Sequence, residues 1–241
     1  MRKLVLFCLI IAFLIPNQSV AQKDGAAIAA VAGGLLAIGA GVAAVEQMKE
    51  QAELTATQWV LDTHPELTSF SLKTLAFDGK KVKDMSATSV ITYKIQEFNP
   101  TMNPILDGKK QVLFGFTSHG WLTQTGIDFN KITWYLIDDA EWMHMMVAYV
   151  KVASEEKNET TLKEILTAGK VVNKGVKLKS KLVIPFFKLT GDMYVVTDYS
   201  KDMKLLYNER SLGIFLKETR DLVQIGRGDI IDIHEFLFDN D

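Results

Sequence analysis

The hydrophobic rhythm of the chain changes twice. Residues 4–15 form one apolar run, and residues 25–45 form a second, built almost wholly of Ala and Gly without a charge. Within the second run Ile28, Val31, Leu35, Ile38, Val42 and Val45 recur at spacings of three and four, the signature of one helix face. The spacing continues through Met48, Ala52, Thr55 and Trp59, with Glu46, Lys49, Glu50 and Glu53 on a polar face, until His64-Pro65 stops it. A helix over residues 24–62 would be about 58 Å long. Part of it must project, insert or pair.

Beyond Pro65 the pattern becomes short apolar runs broken by turn residues. Strands are expected over residues 90–98, 111–117, 132–137, 146–152, 181–189, 193–199, 214–218 and 229–238, where β-branched and aromatic residues cluster. Asp78-Gly79-Lys80, Asp107-Gly108-Lys109 and Thr190-Gly191-Asp192 have hairpin-turn composition, because Gly and Asp tolerate positive φ. Pro185 inside an apolar run suggests an edge strand or a bulge. One helix is expected among the strands: Thr161-Leu162-Lys163-Glu164 has capping-box spacing, Leu162, Ile165 and Leu166 share a side, and Gly169 suits its end. The expected fold is α+β, with a signal peptide (1–21), a long Gly/Ala-rich helix with a polar continuation (22–64) and a mainly antiparallel β domain, sandwich or barrel-like (65–241).

The first apolar run has the anatomy of a secretory signal. Arg2 and Lys3 precede it, Pro16 breaks it, and Ser19-Val20-Ala21 places small residues at the cleavage positions, so export to the periplasm or outer surface is expected. Cys8, the only cysteine, lies inside this run after bulky Leu6 and Phe7, a poor setting for lipidation. Cleavage after Ala21 would leave no thiol chemistry and 25 basic residues against 29 acidic ones, once Arg2 and Lys3 are gone. That balance gives no global attraction to nucleic acid.

Gly33, Gly34, Gly39 and Gly41 each cost a helix about 1 kcal/mol relative to Ala, which calls for compensation. Ala29, Gly33, Ala37 and Gly41 fall four apart, the small-xxx-small spacing that lets two helices touch along their axes. The segment resembles the glycine-zipper stretches of bacterial envelope proteins. The resemblance covers about 20 residues and implies helix packing or membrane contact, with no activity. Twenty-one residues rise about 31 Å, enough to span a hydrocarbon core, yet Ala and Gly gain little from lipid and no Trp or Tyr belt flanks them. Membrane insertion, homo-oligomeric packing and packing on the β domain all remain open.

Chemistry is sparse. Trp142-Met143-His144-Met145-Met146 after Asp138, Asp139 and Glu141 gathers soft ligands suited to copper, but on a strand these side chains alternate between faces and core packing is the simpler reading. His64, His119 and His234 have no ligand spacing to one another. Ser118-His119-Gly120 is the nearest approach to a hydrolytic pair, without a nucleophile elbow. Lys170, Lys174, Lys177, Lys179 and Lys181 are the densest basic run, with the last three expected on one strand face, where lysines blunt a sheet edge or meet an anionic polymer or lipid. Arg227-Gly228-Asp229 and Asn158-Glu159-Thr160 are short matches to adhesion and glycosylation motifs. The expected function is a non-enzymatic envelope protein, membrane-associated or self-associating through its glycine-rich helix, with a β-rich binding or scaffolding domain. Its partners would be the membrane, other copies of itself or an anionic envelope polymer, not nucleic acid. No catalytic residue, metal or cofactor is assigned. The alternative is an exported hydrolase built around Ser118, His119 and distant carboxylates.

Overall fold

A computed structural model describes residues 42–77, 88–123, 126–189, 193–208 and 210–238. The expected leader, the expected helix-packing residues Ala29, Gly33, Ala37 and Gly41, and the turns expected at 78–80 and 190–192 lie outside the described residues.

The described chain is an α+β structure of four α-helices, three antiparallel sheets and a short two-stranded ribbon, with no closed barrel among these residues. Helix α1 (Val42–Thr63) leads into β1 (Phe70–Ala76), β2 (Ser89–Glu97) and β3 (Lys110–Thr117). The ribbon β4 (Leu122–Thr123) and β5 (Gly126–Ile127) follows, then β6 (Ile132–Asp138), which completes a sheet of order β1-β2-β3-β6. Helices α2 (Asp139–Ala153) and α3 (Glu159–Ala168) precede a three-stranded meander of β7 (Lys170–Val172), β8 (Gly175–Leu178) and β9 (Lys181–Pro185). The last sheet pairs β10 (Val195–Asp198), β11 (Met203–Tyr207), β12 (Ser211–Leu216) and β13 (Leu222–Gly226) in sequence order, and α4 (Arg227–Phe238) closes the described chain.

The strict alternation of β2 builds two cores. Ile91, Tyr93 and Ile95 face α1, which buries Met48, Ala52, Ala56 and Val60 against them, four residues apart. Two alanines in that row let the helix axis approach the sheet closely. Glu53, expected on a solvent-facing side, instead accepts hydrogen bonds from Thr74 N (2.9 Å) and Oγ1 (2.5 Å), satisfying a donor of edge strand β1. Val90, Val112, Phe114 and Phe116 face the other way, into a larger core with α2, α3, α4 and the two remaining sheets.

Two expected strands are helices. Residues 146–152 belong to α2, whose buried residues Trp142, Met145, Met146, Val147, Tyr149, Val150, Val152 and Ala153 surround much of its axis. A helix enclosed on most sides shows no polar stripe, and its β-branched and aromatic content imitates a strand. Residues 229–238 belong to α4, which buries Ile230, Ile233, His234 and Leu237 at helical spacing. Strands β1, β4, β5, β7, β11 and β13 were not expected, and β8 was expected only as part of a lysine-bearing strand face around residues 176–181, so the single internal helix and eight strands are corrected to a richer α+β arrangement.

Local details also shift. In α3 the N-cap is Asn158, whose side chain accepts from Thr161 N at 3.1 Å, so Thr161 is a helix residue and not the cap. Gly169 does end α3 as its C-cap, in an extended conformation, and a Cβ there would lie 2.5 Å from the Ile165 carbonyl oxygen. Pro185 ends β9, an edge strand, and a register shift occurs at its partner β8 between Val176 and Lys177. The lysines of residues 170–181 do not form one strand face: Lys177 is on central β8, Lys179 occupies a turn at φ 54°, and Lys181 begins β9.

Candidate anion-binding cleft

The inner face of the β1-β2-β3-β6 sheet is apolar for only part of its length. Along β2 it runs Val90, Thr92, Lys94, Gln96, and along β3 it runs Phe116, Phe114, Val112, Lys110. At the polar end Lys73 of β1 stands directly opposite Lys94 of β2, and Gln96 is flanked by Ser71 and Lys110. Together with Leu106, Glu235 and Phe236 these residues line a cleft of about 320 Å³, within the size range of small-ligand sites.

Pairing two lysines across neighbouring strands opposes folding, because like charges directly opposite repel. Neither Lys73 nor Lys94 forms an ion pair with a described residue. Helix α4 supplies the facing wall: the Lys94 and Lys110 ammonium groups lie 5.9 and 5.7 Å from the centre of the Phe236 ring, attracted to its electron-rich face. Glu235 is turned toward Lys170, with 3.4 Å between charged atoms. The cleft therefore presents a concentration of positive charge, an aromatic ring and the Gln96 amide, whose Nε2 is engaged by the Leu106 carbonyl at 2.8 Å. Such a set can hold a phosphate, sulfate or carboxylate by charge-assisted hydrogen bonds.

The residues singled out by sequence lie elsewhere. Ser118 and His119 open a tight turn in which the Ser118 carbonyl accepts from Trp121 N at 3.1 Å and Gly120 has φ 75°. The exposed His119 contributes its carbonyl oxygen to Lys131 Nζ at 3.1 Å. No hydrogen bond among the described residues joins the Ser118 hydroxyl to an imidazole. In the former copper candidate, Trp142, Met145 and Met146 are core residues, while His144 is exposed on α2. Tyr199 donates its hydroxyl to the Glu141 carboxylate and stacks obliquely on His144 at 5.1 Å. Burial, and then the Glu141 carboxylate, push the Tyr199 hydroxyl above its ordinary pKa, which is the reverse of an activated nucleophile. Among the described residues no three His, Cys, Asp or Glu side chains gather to hold a metal.

His234 is buried. Trp142 Nε1 donates to its Nδ1 at 3.3 Å, and its Nε2 faces the Leu166 carbonyl oxygen at 3.0 Å. This arrangement fixes the neutral tautomer with its proton on Nε2, a tie between α2, α3 and α4. Arg227 of the adhesion-like tripeptide is similarly structural: its guanidinium lies over the Phe186 and Tyr207 rings at 5.5 and 5.8 Å and bonds the Asn173 carbonyl and the Tyr207 hydroxyl. Asn158 of the sequon is occupied as the α3 cap.

Sequence reasoning missed the cleft because its cations come from three separate strands. Lys94 and Lys110 were visible as breaks in the apolar alternation of β2 and β3, but Lys73 sits in a strand that was not expected and Phe236 on a helix read as a strand. The chain matches no protein-family model, no curated protein and no solved structure. The class defined by fold and site is therefore an α+β domain with a basic, aromatic-walled cleft on a half-covered sheet.

Proposed function

We propose that this is an exported, non-enzymatic envelope protein whose β-rich domain binds an anionic envelope component in the cleft of Lys73, Lys94 and Lys110. The glycine-rich run around Gly33 and Gly41 anchors it to a membrane or pairs it with another copy. The observation that carries the binding role is the direct opposition of Lys73 and Lys94, neither of them ion-paired to a described carboxylate, in a cleft whose Glu235 is turned toward Lys170. Opposed lysines repel one another, and a bound anion turns the repulsion into joint attraction. Export and anchoring are supported by Arg2-Lys3, the apolar run after them and the small-residue spacing of Ala29, Gly33, Ala37 and Gly41.

The test is calorimetric titration of the full mature chain, held in non-ionic detergent, with polyphosphate and with a sulfated polysaccharide. Salt-sensitive binding that is lost in Lys73→Gln/Lys94→Gln supports the reading. Absence of binding, or equal binding by the double variant, overturns it.

A further inference from the structure

The loop joining β2 to β3 carries, next to this cleft, the two most exposed large apolar side chains among the described residues, Met102 and Ile105, and the part-exposed Leu106. Met102 is 99% exposed, Ile105 72% and Leu106 45%, and Leu106 also lines the cleft. Solvent exposure of three large apolar residues in five positions is unfavourable for a protein surface left in water. The loop is nevertheless held in shape. Pro100 and Pro104 restrict its backbone, Gln96 Nε2 grips the Leu106 carbonyl, and Gly108 N donates to the Glu97 carbonyl at 2.9 Å. Gly108 is needed for that approach, because a Cβ would lie 2.6 Å from the Glu97 oxygen. Asp107 is the only acid between residues 98 and 109, while Lys109 reaches Asp138 at 3.4 Å.

We infer that this loop and the lysine cleft form one bilayer-docking face: Met102, Ile105 and Leu106 enter the interface of a membrane while Lys73, Lys94 and Lys110 take the phosphates of anionic lipid headgroups. The inference rests on the proposed anion-binding role and names its ligand as a phospholipid surface. A shaped apolar tip beside a cluster of cations is complementary to both layers of such a surface, the acyl boundary and the negative headgroups. A soluble anionic polymer would use the lysines and leave the apolar tip in water. The face belongs to the β-rich domain, so it would fix the orientation of that domain on the membrane independently of residues 25–45.

The experiment uses the full chain with Cys8→Ser and Ile105→Cys, the new thiol carrying an environment-sensitive nitrobenzoxadiazole dye. The dye reports the loop rather than the N-terminal run. With vesicles of phosphatidylglycerol and phosphatidylcholine its emission should shift to the blue and be quenched by spin-labelled acyl chains, whereas phosphatidylcholine alone should leave it unchanged. Lys94→Gln should raise the anionic-lipid concentration for half-maximal shift about fivefold, and the further Lys73→Gln about as much again. Met102→Ser should reduce quenching while leaving polyphosphate binding intact, since Met102 does not line the cleft. A dye that stays in water on anionic vesicles, with polyphosphate binding still dependent on Lys94, overturns membrane docking and leaves the anion-binding reading standing. An equal shift on neutral vesicles, or a shift untouched by the lysine substitutions, also overturns it. A blue shift that grows with protein concentration without vesicles overturns it in favour of a second copy of the chain. Absence of both lipid and polyphosphate binding in the chain with Lys73 and Lys94 intact removes the underlying reading as well.

Discussion

The two faces of the β1-β2-β3-β6 sheet are made by the same strands and have opposite characters. The face under α1 is apolar from Ile91 through Tyr93 to Ile95 and is covered by a single helix along that length. The opposite face begins in the same way, with Val90, Val112 and Phe114 in the main core, then turns to Lys73, Lys94, Gln96 and Lys110 where α4 supplies only a wall. A sheet face closed by a helix in this way packs the core, the Tyr93 hydroxyl being buried there without a hydrogen-bond partner. One that stops being apolar while still enclosed on a side retains polar groups at a cost, and that cost marks the place where ligand binding is to be sought.

The contrast predicts a graded set of stability effects, measured by chemical denaturation of the described domain within the full chain. Trp142→Ala should be the most damaging, about 3–5 kcal/mol, because it empties a fully buried site against Phe114 and leaves His234 Nδ1 without its donor. A loss below about 1 kcal/mol would mean that the inner face is not the tightly packed core described here. Ala56→Leu should cost about 1–3 kcal/mol, since the alanine is completely buried between α1 and the sheet. If it is neutral, the outer face has room that the contrast denies it.

Asp138→Ala should remove about 1 kcal/mol, because this residue caps α2 by accepting from Glu141 N at 3.0 Å. That backbone donor, the largest influence, holds the Asp138 carboxyl below its ordinary pKa; burial opposes it, and Lys109 adds to the lowering. A folded-state pKa that is depressed gives stability present above the unfolded carboxylate range and lost as pH falls through the folded value. The gap between wild type and Asp138→Ala should therefore be full at neutral pH and close progressively below about pH 4; a gap independent of pH would assign the effect to something other than the charged cap. The smallest effect belongs to the cleft. Lys94→Gln should change stability by less than about 0.5 kcal/mol, in the stabilising direction, since it relieves the repulsion with Lys73. A loss above about 1 kcal/mol would erase the distinction between the faces, making the lysine a structural residue.

Local order determined a definite share of this protein. The stop at His64-Pro65, the alternation of β2 and β3, the helix ending at Gly169 and the edge position of Pro185 are set by neighbours within a few residues, through steric limits on proline, the two-residue strand period and close approach at glycine. The helical state of α2 and α4 was decided by tertiary packing. Trp142, Val147 and Tyr149 on one, and Ile230 and Ile233 on the other, are residues of strand-like preference that gain more from enclosure in the main core than they lose in propensity. The cleft was decided there too. Lys73, Lys94 and Lys110 meet only because antiparallel registers place them side by side, and Phe236 reaches them only as part of a helix laid across the sheet; no local pattern encodes a contact whose partners are brought together by the pairing of distant strands.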